Sequence, residues 1–257
     1  MSKVTAVFGA GTGLGLSVAR RFGREGFRVA LVARRKERLD ALVAQLTDEG
    51  IEAVAYPADL SDPAGIPALV DAIRRRFGRI DVVEYGPIGA DQAFTPAAQL
   101  DAATLERISR VLLLTPVEVF RAVLPEMTAR GDGALLMTTG YSAVQGVPHL
   151  SGPGPVMSGA RNYVYSLNGE LAGTGVYAGT LTIAALITGS ESFEAATKGG
   201  IDLPDTGVQF PVVHPDELAG YYWDMYTRRD RVEQAHPVEL TPKAVAPAFT
   251  PQADATE

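Results

Sequence analysis

The stretch Phe8-Gly9-Ala10-Gly11-Thr12-Gly13-Leu14-Gly15 constrains this chain more than any other. It follows an apolar run, Val4–Phe8, of the kind that forms a strand buried on both faces, and it opens an amphipathic segment, Leu14–Glu25. Glycines in a strand-to-helix turn let the backbone bend sharply and let another group approach it closely. The helix that follows offers free N–H groups and a partial positive charge at its first turn, which suits an anion such as a phosphate. A glycine-rich turn with no ligand is the bland alternative.

Further apolar runs at Arg28–Ala33, Ala53–Tyr56, Ile80–Tyr85, Ala134–Thr139 and Ala178–Ile187 predict more buried strands, with helical stretches between them. Lys36–Asp48 carries Leu39, Leu42, Val43 and Leu46 at helical spacing. Ser61-Asp62-Pro63 supplies a cap and a first-turn proline for a helix ending near Phe77. Ala103–Arg130 predicts a long helix that Pro116 and Pro125 should kink or end, and Pro155–Leu171 and Pro215–Gln234 predict two more. This alternation predicts an α/β fold, a Rossmann-type doubly wound parallel sheet, as one domain over residues 1–235. Gly189–His214 is irregular and follows the last predicted strand, so it reads either as a lid over the ligand crevice or as an ordinary surface loop. The tail from 236 to 257 alternates Ala, Pro and Thr and is expected to be disordered.

Composition narrows the function classes. A hydrophobic share of 46% suffices for a substantial core. A net charge of −7 argues against nucleic acid or an anionic membrane as a partner. Without cysteine there is no disulfide, thiol catalysis or Cys-based metal site, and His149, His214 and His236 have no metal-ligand spacing, so no metal is expected. No apolar run of about 18 residues and no leader pattern is seen, which points to a cytoplasmic protein.

A dinucleotide is the ligand that this turn suits, with Gly9, Gly11, Thr12, Gly13, Leu14 and Gly15 around its pyrophosphate. The second strand ends in Ala33-Arg34-Arg35. An acidic residue there would bond the adenosine ribose and favour NAD. Two arginines instead pair with a 2′-phosphate through planar, charge-assisted hydrogen bonds, so NADPH/NADP is the expected cofactor. Their position at a helix start, unfavourable for a cation, fits an anionic ligand; solvated surface charges are the alternative.

The Gly9-xxx-Gly13-x-Gly15 spacing, the Ala33-Arg34-Arg35 strand end and Ala58-Asp59-Leu60 resemble the short-chain dehydrogenase/reductase family over roughly residues 3–230. The resemblance implies that Asp59 and Leu60 flank the adenine ring, that Gly86 passes near its ribose, and that Thr188 contacts the nicotinamide end. It also implies a small-molecule substrate and a homodimer or homotetramer built on the two long helices. One motif and four single positions depart from it. Glu84-Tyr85-Gly86-Pro87 replaces the usual Asn-Asn-Ala-Gly, and the structural asparagine falls on Leu112. The catalytic serine falls on Gly140, and the Tyr-xxx-Lys pair falls on Pro153 and Met157. No lysine occurs between Lys36 and Lys198, so an alignment shift does not restore the pair.

In the family, tyrosine supplies a proton as hydride reaches the carbonyl, lysine lowers its pKa, and serine bonds the developing oxyanion. Substitutes are sought nearby: Thr139 beside the empty serine position, Tyr141 just after it, and Arg161 one turn beyond Met157. His149 is a further loop candidate, while Tyr163 and Tyr165 read as core or interface residues. Tyr221-Tyr222-Trp223 with Tyr226 lines a pocket, a subunit contact or the core. Three function classes follow. The first is an NADPH-dependent reductase with substrate-assisted or non-standard proton donation. The second is a non-redox enzyme, a cyclase, isomerase or dehydratase. The third is a non-catalytic NADP(H)-binding regulator.

Overall fold

The structure is a computed structural model, and it describes residues 2–87, 95–197 and 209–240. Its frame is a parallel sheet of seven strands in the order β3-β2-β1-β4-β5-β6-β9. These are β1 (Val4–Phe8), β2 (Arg28–Ala33), β3 (Ala53–Pro57), β4 (Val82–Tyr85), β5 (Gly133–Gly140), β6 (Val176–Ile183) and β9 (Glu233–His236). A second, two-stranded sheet pairs β7 (Leu186–Ile187) with β8 (Val212–Val213). Helices α1 (Leu14–Arg24), α2 (Lys36–Asp48) and α8 (Pro215–Arg228) stand against one apolar core, and α3 (Ile66–Phe77), α5 (Thr115–Arg130) and α6 (Pro153–Glu170) against the other. The doubly wound parallel sheet expected from the alternation is the observed fold. Strands buried on both faces explain why the sequence shows continuous apolar runs rather than alternation.

The expected long helix is α4 (Ala102–Ser109) and α5 joined by a π-turn, Arg110–Leu114, without a break at either proline. In the wider turn the Thr115 N–H bonds the carbonyl of Arg110. The next N–H in that register belongs to Pro116 and does not exist, so the carbonyl of Val111 lacks its helical partner. The Tyr85 hydroxyl fills the gap, donating to Val111 O at 2.5 Å. Pro125 stays inside α5 because Val119, Phe120, Val123 and Met127 are all buried around it. Burial of such side chains, roughly 1.5–3 kcal/mol each, outweighs the roughly 3 kcal/mol cost of an internal proline.

The expected cap of the third helical region is Asp62, which accepts from Ala64 N at the head of a short 3-10 turn that begins with Pro63 and runs on into α3, ending at Phe77. Three other expectations are corrected. The last predicted helix, Pro215–Gln234, ends at Arg228, where Arg229 adopts φ 52°. The chain then returns as edge strand β9, pairing Thr180 with Glu233 through Ile183 with His236. His236 is thus part of the sheet rather than the start of a tail, and Val238–Leu240 forms a 3-10 turn; residues 241–257 lie outside the described residues. The expected strand Ala178–Ile187 divides at Ile183, leaving β7 to pair with β8. Within Gly189–His214 the described part contains α7 (Glu191–Thr197), a short helix. Among the described residues no helix is long and apolar enough to cross a membrane.

Candidate functional site

The sheet runs outward in opposite directions from β1 and β4, and a cleft of about 660 Å³ lies along the carboxyl ends of the strands there. The turn after β1 forms its floor. Gly9 has φ +94°, and a Cβ on it would lie 2.5 Å from the Cα of Pro87, so only glycine lets this turn touch the end of β4. A Cβ on Gly13 would meet Ser190 at 2.9 Å. Gly11 is different: nothing lies within 4 Å of a Cβ there, and the residue faces the open cleft. No side chain caps α1, and its first turn has no acidic residue. A pyrophosphate fits this cradle, which offers helix N–H groups, a partial positive charge and space at Gly11.

Gly9, Gly11, Thr12, Gly13, Leu14, Gly15, Arg34, Arg35, Asp59, Leu60 and Gly86 all stand in the wall of the cleft. Asp59 accepts from the N–H and hydroxyl of Ser61, at 2.9 and 2.8 Å, which hold its carboxyl below the usual range. Thr188 is outside the described wall. It continues the β7–β8 pairing, giving its N–H to Val213 O at 3.0 Å with its hydroxyl 3.3 Å from the same oxygen. The segment ahead of α7 lies across the glycine turn: Thr12 Oγ1 donates to Gly189 O at 2.7 Å. Glu191, at the start of α7, pairs with both Arg35 and Arg38.

The substitute residues sought at the other end separate. Thr139 is in the wall but fully buried, with its hydroxyl 2.8 Å from that of Thr182 and 3.3 Å from that of Thr180. Tyr141 turns away from the strand axis in a 3-10 turn, donates to Gln145 Oε1 at 2.8 Å, and is outside the described wall. Arg161 is also outside it. Its guanidinium donates to Glu233 Oε2 at 2.5 and 2.9 Å, because a buried carboxylate on β9 requires a cation. Glu233 further accepts from Tyr165 OH and Thr182 Oγ1, both at 2.5 Å. Gly140 presents no side chain; its N–H faces Met157 Sδ at 3.3 Å. From there the wall continues through Ile183, Ala185, Leu186 and Ile187, which are apolar. Pro153 is buried in the first turn of α6, and His149, outside the described wall, takes φ 65° in the preceding loop.

Tyr222, Trp223 and Tyr226 are explained by packing, since Trp223 and Tyr226 meet Phe22 and Phe27 in a ring cluster between α8 and α1. Tyr222 is fully buried and does something the sequence did not suggest. Its hydroxyl is 2.6 Å from Thr138 Oγ1, which donates to Glu84 Oε1 at 2.8 Å. Thr138 is in the cleft wall, and burial pushes the Glu84 carboxyl up to about 8. Glu84 was visible in the sequence only as a departure from a motif, and Glu191 carried no signal at all.

Residues 3–197 match the family model of the short chain dehydrogenases. The chain belongs to this family. It is 29% identical over 186 residues to the oxidoreductase asL5 of Sarocladium schorii, covering 72% of this chain and 73% of that one. A variant of actinorhodin polyketide ketoreductase solved with NADPH superposes with a TM-score of 0.79 at 25% identity, over 91% of this chain and 94% of the other. A Pseudomonas aeruginosa short chain oxidoreductase, described as containing an atypical catalytic centre, superposes at 0.76 with 21% identity, over 87% and 90%. A short chain dehydrogenase is an oxidoreductase that binds a nicotinamide dinucleotide. Among the described residues no group of His, Asp and Glu could hold a metal ion.

Proposed function

We propose that this short chain dehydrogenase is an NADPH-dependent reductase of a small molecule, and that it works without the tyrosine, lysine and serine that usually handle the proton. One observation supports this most: a cleft whose nucleotide end is built from the glycine turn, Arg34 and Arg35, and whose other end is Gly140 and an apolar wall. The bound dinucleotide supplies hydride. Arg34 and Arg35 would hold its 2′-phosphate, the start of α1 and Gly11 its pyrophosphate, and Leu60 and Asp59 its adenine end. The apolar wall excludes water and orients the substrate, and proximity of this kind contributes several kcal/mol to a hydride transfer. The solved relative with an atypical catalytic centre shows the same fold. The exposed Leu114 at the α4–α5 junction suits the homodimer or homotetramer expected on the long helices.

Titration of NADPH and NADH into the purified protein, followed by calorimetry, tests the reading. Micromolar binding of NADPH should weaken about tenfold, or about 1.4 kcal/mol, in Arg34→Ala, with NADH little affected. Equal binding of both dinucleotides by wild type and variant would remove the 2′-phosphate role, and absence of binding would remove the reductase.

A further inference from the structure

Three carboxyl side chains are buried among the described residues: Asp81, Glu84 and Glu233. Asp81 is paired with Arg79 and accepts the N–H of Val4, and Glu233 is paired with Arg161. Glu84 pairs with no described cation; its hydrogen-bond partner is the Thr138 hydroxyl. From α8 the titratable group facing it is the Tyr222 phenol, which burial keeps neutral, and no described charged side chain of β1, β5 or α8 pairs with it. A carboxyl so enclosed keeps its proton, because nothing there compensates a charge. The Thr138 hydroxyl, 2.8 Å from Glu84 Oε1, donates to the carboxyl when it is ionised and can accept its proton when it is neutral. Thr138 is itself a residue of the cleft wall. A Cβ on Gly86 would be 2.5 Å from both Glu84 Oε1 and Thr138 Oγ1, and both Gly86 and Thr138 line the cleft.

We propose that Glu84 is the proton store of this cleft and that it acts through the Thr138 hydroxyl on the substrate atom that becomes O–H or N–H. The inference rests on the reductase reading and adds the proton source to it. With a reduced nicotinamide dinucleotide bound, hydride would leave its C–H bond with the electron pair and bond the electrophilic carbon of a C=O or C=N group. The π pair moves onto the heteroatom, which takes the hydrogen of Thr138 Oγ1, and Thr138 takes the Glu84 proton. The dinucleotide is oxidised, the substrate is reduced and a carboxylate remains. The carboxylate recovers its proton along the same path from water entering the emptied cleft. Thr138 is the catalytic residue here. Glu84 acts through it, and Tyr222 fixes the hydroxyl from the other side.

The first test uses the ligand-free protein. Infrared spectra of wild type minus Glu84→Gln at about pH 7 should show a protonated carboxyl band, and a carboxylate band instead overturns the proposal. The second compares NADP⁺ and NADPH by calorimetry at about pH 8 in two buffers of different ionisation heat. The cationic ring of NADP⁺ favours an ionised Glu84, so its binding should release on the order of half a proton from wild type and none from Glu84→Gln. NADPH, without that charge, should release none from either. A wild-type chain that binds NADP⁺ without losing a proton, or a release that persists in Glu84→Gln, overturns the relay. If neither dinucleotide binds, the reductase reading fails and the relay with it, and the infrared band then reports only how Glu84 is buried.

Discussion

Glu84 and Glu233 sit on one parallel sheet, on strands β4 and β9 that flank β5 and β6, and both are almost wholly removed from water. Each is hydrogen-bonded to a threonine hydroxyl: Thr138, in the cleft wall, for Glu84, and Thr182, outside that wall, for Glu233. They differ in what the opposing helix brings. Helix α6 supplies Arg161 and Tyr165 to Glu233, whereas α8 supplies Tyr222, a neutral phenol, to the Glu84–Thr138 pair. The difference teaches that burial alone does not set the state of a carboxyl. With a cation the group is a structural anion; without one it becomes an acid poised near neutral pH.

The largest expected effect comes from breaking the paired side. Arg161→Leu leaves a carboxylate with no cation, and removing one partner of a buried pair costs about 3–5 kcal/mol. Urea unfolding at neutral pH measures this, and a loss below about 1 kcal/mol would show that the pair does not hold the β9 edge in place.

The unpaired side should show a smaller effect that depends on pH. The Glu84 carboxyl titrates near 8 in the fold against an ordinary value of 4.5, so between these values the folded chain holds a proton that the unfolded chain has released. Stability therefore falls as pH rises through that window and levels off above it, by on the order of 1.4 kcal/mol per unit at most. Glu84→Gln removes this slope. Unfolding midpoints of wild type and variant at several pH values should diverge steadily as pH rises, with the variant gaining; parallel curves would mean that Glu84 is not held as an acid.

The smallest effect is expected at a carboxylate that is paired but exposed. Glu191 is 41% exposed beside Arg35 and Arg38, where an ion pair is worth less than about 1 kcal/mol. It nevertheless occupies an arginine assigned to the 2′-phosphate. Glu191→Gln should tighten NADPH a few-fold while leaving stability unchanged, and calorimetry that finds no change would show that Glu191 does not compete.

Much of this molecule was legible before folding. The bounds of β1, β2 and α2 follow from their apolar runs and helical spacing, because propensity and pattern agree there. The cofactor end was legible too, since a glycine turn is a local device whose parts are contiguous in sequence. The continuous helix across Pro116 was not, because Tyr85, distant in sequence, satisfies the carbonyl that the proline leaves behind. Strand β9 was hidden as well: Glu233-Gln234-Ala235-His236 has no apolar pattern, and it becomes a strand only because β6 offers an open edge and Arg161 neutralises Glu233.

The sequence by itself determined the parallel sheet and the glycine turn after β1, and it placed Glu84, Gly140, Pro153 and Met157 where the resemblance to the family implies other residues. Only the tertiary structure decided what those departures mean. It turned Tyr141 aside, committed Arg161 to Glu233, and closed β4, β5 and α8 around Glu84. The physical reason is that the charge state of a carboxyl is set by the groups that surround it in space, and for Glu84 these come from Thr138 and Tyr222, far along the chain.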